Sequence, residues 1–355
     1  MPLYFQFPDW ISTVIIPGLP FRWYGLMYLV AFAITYLLFM YQVRQRKLDV
    51  DTDTVLNMFF WAIIGLLLGA RLFATLLFDA SGRYWARPWL IFWPFDENMN
   101  FVGLQGMNYY GGLAGAVLAV IVYARAKKID ILDWGDMIVA GVPLGYTFGR
   151  IGNFINGELF GRVTTASWGV VFPHARRFPA EEEWVQETAR EAGMNASELS
   201  GMVNLPRHPT QLYEAFGEGI LLWLVMWFIF RKREHVKGAL IGVYLIGYGV
   251  VRFVVDYFRV PLRGDFSLQL SGIENPPYLL LTPWNFIASQ FYSVLMIVAG
   301  VGLIFIFRAW ARRQEALGQS GPGRGPGGSP RGGSTNGPDM RDPSQRRKMR
   351  RKLKK

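Results

Sequence analysis

Asp136–Phe148, DMIVAGVPLGYTF, runs without a break into Gly149–Arg162, GRIGNFINGELFGR. The first of these is a mostly apolar run of the kind that enters a bilayer. The second packs Arg150, Arg162, Asn153, Asn156, Glu158 and four glycines into fourteen residues. Polar and ionisable groups at the edge of a membrane segment are costly unless they face protein or a wet cavity, so they mark a site. Close helix packing accounts for the glycines, and capping of a helix end for the asparagines. Neither needs Arg150 or Glu158.

The apolar character recurs outward from this stretch. The chain has 355 residues, 52% of them hydrophobic and 16% aromatic, and its mean hydropathy is positive. Apolar runs predict seven membrane helices, at 22–42, 55–79, 109–126, 132–150, 210–231, 239–259 and 287–308. Each can cross about 30 Å of hydrocarbon. The expected fold class is an all-α polytopic membrane protein, with a membrane domain over 1–307. The start MPLYFQFPDW lacks the basic residues of a cleavable signal peptide, so the first membrane helix itself is expected to direct insertion.

The links alternate in character. Short basic ones follow the first helix (Arg44, Arg46, Lys47), the third (Arg125, Lys127, Lys128) and the fifth (Arg231, Lys232, Arg233, Lys237). The longer 80–108, 151–209 and 260–286 are aromatic or mixed. The positive-inside rule then puts the N-terminus outside and the C-terminus in the cytoplasm. Residues 80–108, with Trp85, Trp89 and Trp93 among prolines, read as an interfacial arm. Residues 163–205 read as a small external head, with a solvated helix over Ala180–Leu199.

The net charge of +11 belongs to the tail, where 308–355 holds fourteen Lys/Arg against three Asp/Glu, and 1–307 is balanced. From Gly318 the chain is rich in Gly, Pro, Ser and Arg and is expected to be disordered. Nine Lys/Arg in Arg341–Lys355 suit anionic membrane lipid or nucleic acid as well as a solvated topology signal, and no specific nucleic-acid partner is expected. There are no cysteines, which excludes disulfides, a thiolate nucleophile and a Cys-built metal site. No HExxH, phosphate-binding glycine loop or Gly-x-Ser-x-Gly elbow is present, so no metal and no cofactor are expected. The sequence carries no signal for an oligomeric state.

The predicted topology sorts the polar residues to one membrane face: Arg150, His208–Glu214, Tyr109–Gly112 and Arg252–Arg259. Arg150, Arg252 and Arg259 are candidate anion binders, because a guanidinium fork matches phosphate oxygens. Arg71, in GLLLGARLF, is a fourth. Arg252, Asp256 and Arg259 share one helical face, where Arg252 and Asp256 also suit a structural i,i+4 pair. In His208-Pro-Thr-Gln-Leu-Tyr-Glu214, Pro209 fits the first helical turn, with Gln211 and Glu214 near His208. That histidine suits a general base or a cap equally. The residues lead to an outward-facing site for a phosphate-bearing amphiphile. A lipid transporter is the competing class, but it calls for internal repeats and midmembrane polar groups, and the sequence has neither.

Arg22-Trp-Tyr-Gly-Leu-Met-Tyr28, Gly149–Arg162, Arg207–Glu214 and Gly247-Tyr-Gly-Val-Val-Arg-Phe-Val-Val-Asp-Tyr-Phe-Arg259 together resemble the prolipoprotein diacylglyceryl transferases. The resemblance covers about Leu3 to Phe307, with the motifs in order. It implies an inner-membrane enzyme that moves the diacylglyceryl group of phosphatidylglycerol to the lipobox cysteine in the signal peptide of a prolipoprotein, forming a thioether and releasing glycerol 1-phosphate. The family's essential arginines fall on Arg150 and Arg252, its signature asparagine and glutamate on Asn153 and Glu158, its N-terminal tyrosine on Tyr24 and its signature-end glycine on Gly161. Asn156, Gln211, Glu214, Asp256, Arg259 and Arg71 complete the expected substrate-binding set. Where some members carry a histidine proposed as the catalytic base, Tyr110 stands here, in Met107-Asn-Tyr-Tyr-Gly-Gly-Leu113. A neutral tyrosine is a poor base at pH 7. The base is therefore open among Tyr110, Glu158, His208 and direct ionisation of the substrate thiol in the arginines' field.

Overall fold

The computed structural model describes residues 4–16, 22–79, 81–95, 98–100, 103, 106–195, 199–260, 267–270 and 284–319. The chain divides into two units, 1–309 and 310–355. The expectations for 320–355 lie outside the described residues.

Six described helices are long and apolar enough to cross a membrane. They are α1 (Trp23–Gln45), α2 (Thr52–Leu76), α4 (Tyr109–Ala126), α8 (Thr210–Phe230), α9 (Ala239–Phe258) and α10 (Ala288–Gln319). Between α2 and α4 lies the one-turn α3 (Arg83–Ala86), inside the expected arm. The fourth predicted crossing is a broken pair, α5 (Ile131–Val139) and α6 (Val142–Ile155). Pro143 lacks the N–H that would reach back across the break, and Gly141 before it is a poor helix former. The second piece extends beyond the predicted end at Arg150, so Asn153 lies within the helix rather than beyond it. The last helix likewise runs past its predicted end at Arg308 to Gln319, because Ala309–Leu317 is rich in good helix formers.

Close backbone contact fixes how α2 and α4 sit together. A β-carbon on Gly69 would lie 2.2 Å from the carbonyl oxygen of Gly111, and one on Gly115 would lie 2.1 Å from that of Gly65. Small residues four apart on both helices permit this approach in a lipid environment. It sets the depth at which the start of α4 is held.

At the end of the bundle away from the Gly149–Arg162 stretch, Phe39, Val55, Met58, Trp134 and Met137 form a buried core. Its rim carries ion pairs between Arg46 and Asp133 (2.9 Å) and between Lys237 and Asp130 (2.6 Å).

The expected head contains α7 (Glu183–Glu191), shorter than the predicted Ala180–Leu199. Its Val185 and Ala189 pack on Phe178, Val203 and Leu205, leaving most of the glutamates outward. The head is tied to the membrane helices through Phe172, which meets Phe154 of α6 and stacks on Phe160. Phe5–Gln6 pairs parallel with Val170–Val171 beside it.

Candidate active site

Three sequence-distant segments are stitched together by backbone hydrogen bonds. Gly161 donates to the carbonyl of His208 (2.8 Å), His208 to that of Arg162 (3.0 Å), and Arg162 to that of Phe258 (2.8 Å). Gly161 has no room for a side chain, since a β-carbon would lie 2.3 Å from the Phe258 oxygen and 2.6 Å from Thr210 Cγ2. Its role is close approach of three strands of chain, which assembles the site.

On this seam sits a charged cluster. Glu214, fully buried, lies 2.9 Å from Arg150 Nε, accepts from Arg252 Nη1 (3.0 Å), and pairs closely with Arg259. Arg252 also reaches Glu218 (3.5 Å) and Asp256 (3.1 Å), and Arg259 Nε lies 3.8 Å from Asp256. The i,i+4 pair read from the sequence is present, as one edge of a six-residue network. Glu214 and Glu218 lie where α8 passes into wide π-type turns, over Ala215–Leu221, a form that recurs at functional sites. Gly219 in that segment lets α8 press against Thr147 of α6, which brings the two helices' polar residues within reach.

A second chain of hydrogen bonds leaves the cluster through Arg150. Its Nε, besides lying against Glu214, donates to the Tyr146 hydroxyl (2.6 Å), while Tyr146 donates to Glu218. Arg150 Nη1 donates to Asn153 Oδ1 (3.2 Å), and Asn153 Nδ2 to Glu158 Oε1 (2.9 Å). Asn156 Nδ2 donates to the same oxygen (3.2 Å). Glu158 is exposed, and its Oε2 has no partner among the described residues. Tyr24, bonded to Tyr28 through their hydroxyls (2.9 Å), lies within electrostatic reach of Glu158 and Arg150.

Glu158 is followed by Leu159 in the left-handed region, φ 58°, which costs a branched side chain about 1–2 kcal/mol. Two buried side chains of α8 hold this turn: Gln211 Nε2 donates to the Glu158 carbonyl (2.6 Å) and Thr210 Oγ1 to that of Leu159 (3.1 Å).

The remaining expected residues fall as follows. His208 packs on Phe258, and its Nδ1 lies 3.0 Å from the Tyr213 hydroxyl. Burial pushes its pKa down to about 4, so it is uncharged at pH 7 and orders the turn into α8. Arg71 bonds to the segment expected to be the interfacial arm. It is buried and donates to the carbonyls of Ile91, Gly106 (3.2 Å) and Leu90 (3.4 Å), under the ring of Tyr84. It thereby fastens the arm to α2. Tyr110 is 64% exposed and its ring meets that of Tyr109. It is Tyr109 that lies within electrostatic reach of Arg150, Glu218 and Arg252. Tyr146, Glu218 and Tyr248, whose ring meets that of Tyr146 edge-on at 5.9 Å, are members of the site that the motif reading passed over.

A sequence model of the family described as prolipoprotein diacylglyceryl transferase matches residues 12–306. A Treponema pallidum protein named phosphatidylglycerol–prolipoprotein diacylglyceryl transferase is 44% identical, covering 87% of this chain and 97% of its own length. Proteins of the same name from Treponema denticola and Chlorobaculum tepidum are 48% and 38% identical, covering 86% of this chain in each case and 95% and 92% of their own lengths. With the match running through every segment that builds the cluster, the chain belongs to the prolipoprotein diacylglyceryl transferase family.

Proposed function

We propose that this protein transfers the diacylglyceryl group of phosphatidylglycerol to the lipobox cysteine of a prolipoprotein, on the outer face of the bacterial inner membrane. The observation that carries the reading is the arginine cluster. Arg150, Arg252 and Arg259 are each anchored through Nε and one Nη, and the Nη2 of each has no partner among the described residues. Three anchored guanidiniums with spare donors suit a phosphodiester and, still better, the extra charge that appears as its ester bond breaks.

In the reaction the thiol sulfur attacks the glycerol carbon that bears the phosphate ester oxygen. A C–S bond forms, the C–O bond breaks, and glycerol 1-phosphate leaves with the electron pair. The thiol proton passes to a base. Glu158 is the group best supported for that role, being exposed, with one carboxylate oxygen held by two asparagines and the other unpartnered. Nearby guanidiniums lower the pKa of a thiol, which narrows the gap to a carboxylate acceptor. The orientation, with this site outside and the C-terminus inside, rests on the basic links at the opposite helix ends.

Incubation of the purified protein with phosphatidylglycerol and a lipobox peptide tests the proposal. The peptide should gain the mass of one diacylglyceryl group; a transporter would move lipid and leave the peptide unchanged. Arg150→Lys and Arg252→Lys keep charge but lose the fork, and each is expected to cut turnover by about tenfold or more. Near-normal turnover in both would remove the phosphate-clamp assignment. Tyr110→Phe should cost about tenfold at most, the scale of one uncharged hydrogen bond; a hundredfold loss would instead make Tyr110 the base. Truncation after Arg313 should leave transfer by the purified protein intact, because every site residue precedes it.

A further inference from the structure

The left-handed turn at Leu159 is more constrained than its own residue favours. Glycine is the residue suited to φ near 60°, and Gly157, at φ 63°, uses that freedom two positions earlier. Leucine at φ 58° is strained by its β-carbon, and strain of this kind persists only where surrounding structure over-determines it. Thr210 and Gln211, both fully buried, supply that surrounding structure through their bonds to the carbonyls of Leu159 and Glu158.

If the leucine were there to stabilise the turn, its side chain would be buried. It is 42% exposed, and it directly follows Glu158, whose free carboxylate oxygen is also on the exposed side. An apolar side chain held in a costly conformation, in contact with solvent and adjacent to the group that takes the proton, has its partner outside the fold.

We infer that Leu159 determines specificity for the acceptor peptide: an apolar residue flanking the substrate cysteine packs against its side chain, which brings the thiol to Glu158. This rests on the reading of Glu158 as the base. The peptide is favoured over the lipid as the occupant because Leu159 lies beyond the end of α6, on the segment that joins the membrane helices to the head. Acyl chains have their counterpart among the apolar helices, whereas the residues around the thiol must sit where the proton is removed.

The test uses the full-length protein in detergent with phosphatidylglycerol and a lipobox peptide, and measures KM for each together with thermal stability. Leu159→Gly removes the side chain and relieves the backbone, so the variant should fold and its Tm should be unchanged or higher. Its KM for the peptide is expected to rise by about fivefold or more, with KM for phosphatidylglycerol unchanged. Leu159→Asn, which also tolerates the left-handed region, should behave like the glycine variant. Leu159→Met keeps an apolar side chain and should stay near the parent value. An unchanged peptide KM in Leu159→Gly, or a rise confined to phosphatidylglycerol, would overturn the inference. Failure of the unsubstituted protein to transfer at all is a different result, which would overturn the functional reading first and this one with it.

Discussion

Glu158→Gln should lower turnover by about a hundredfold or more, the range over which a positioned general base contributes. Glutamine keeps a carbonyl oxygen where Glu158 Oε1 now accepts from Asn153 and Asn156. What it lacks is an oxygen able to take a proton. On the proposed function KM for phosphatidylglycerol should change little, because the arginines assigned to the phosphate keep their ion pairs with Glu214, Glu218 and Asp256. Steady-state kinetics with the lipobox peptide would read both constants. Turnover within tenfold of the parent would leave the arginine field alone to ionise the thiol.

Glu214→Ala should produce the largest loss of stability of any single substitution in the site. The residue is fully buried and is shared by guanidiniums from α6, α9 and the turn beyond α9. Removing one partner of a buried pair leaves uncompensated charge and typically costs about 3–5 kcal/mol. Here three arginines would be left facing Glu218 and Asp256. Thermal unfolding in detergent should show a clear fall in Tm, with Glu214→Gln intermediate because the amide still accepts hydrogen bonds. An unchanged Tm in the alanine variant would mean that α6 and α9 are held together by packing alone.

Much of this was legible in the sequence because membrane helices announce themselves by apolar length. The start and end of α4, Tyr109 and Ala126, agree with the predicted 109–126. The fourth crossing was legible in position but not in its interruption, although Gly141 and Pro143 are its visible cause. The residues passed over in the site share a simple relation to those picked out. Tyr28 follows Tyr24 by four, Glu218 follows Glu214 by four, Tyr146 precedes Arg150 by four and Tyr248 precedes Arg252 by four. Each is one helical turn along the face of a residue already chosen, so the helical period alone would have found it.

Two features were not legible for a different reason. Whether Tyr109 or Tyr110 approaches the cluster depends on the rotation of α4, which is set by glycine contacts with α2 some forty residues away in sequence. The partners of Arg71 are backbone carbonyls of the arm, and backbone carbonyls carry no sequence signature. An arginine in an apolar run reads the same whether it meets a phosphate or a loop.

The three guanidiniums of Arg150, Arg252 and Arg259 are set against the three carboxylates of Glu214, Glu218 and Asp256. Such an arrangement projects almost no field beyond its own dimensions. On the proposed function, the substrate phosphate is therefore not expected to be drawn in from a distance, as it would be by an unbalanced basic cleft. It meets strong donors only at contact, once it has diffused sideways through the bilayer. On the proposed function, selection then falls to the fit of one headgroup against the spare donors. The rate of capture should accordingly vary little with ionic strength, unlike that of proteins that rely on long-range attraction.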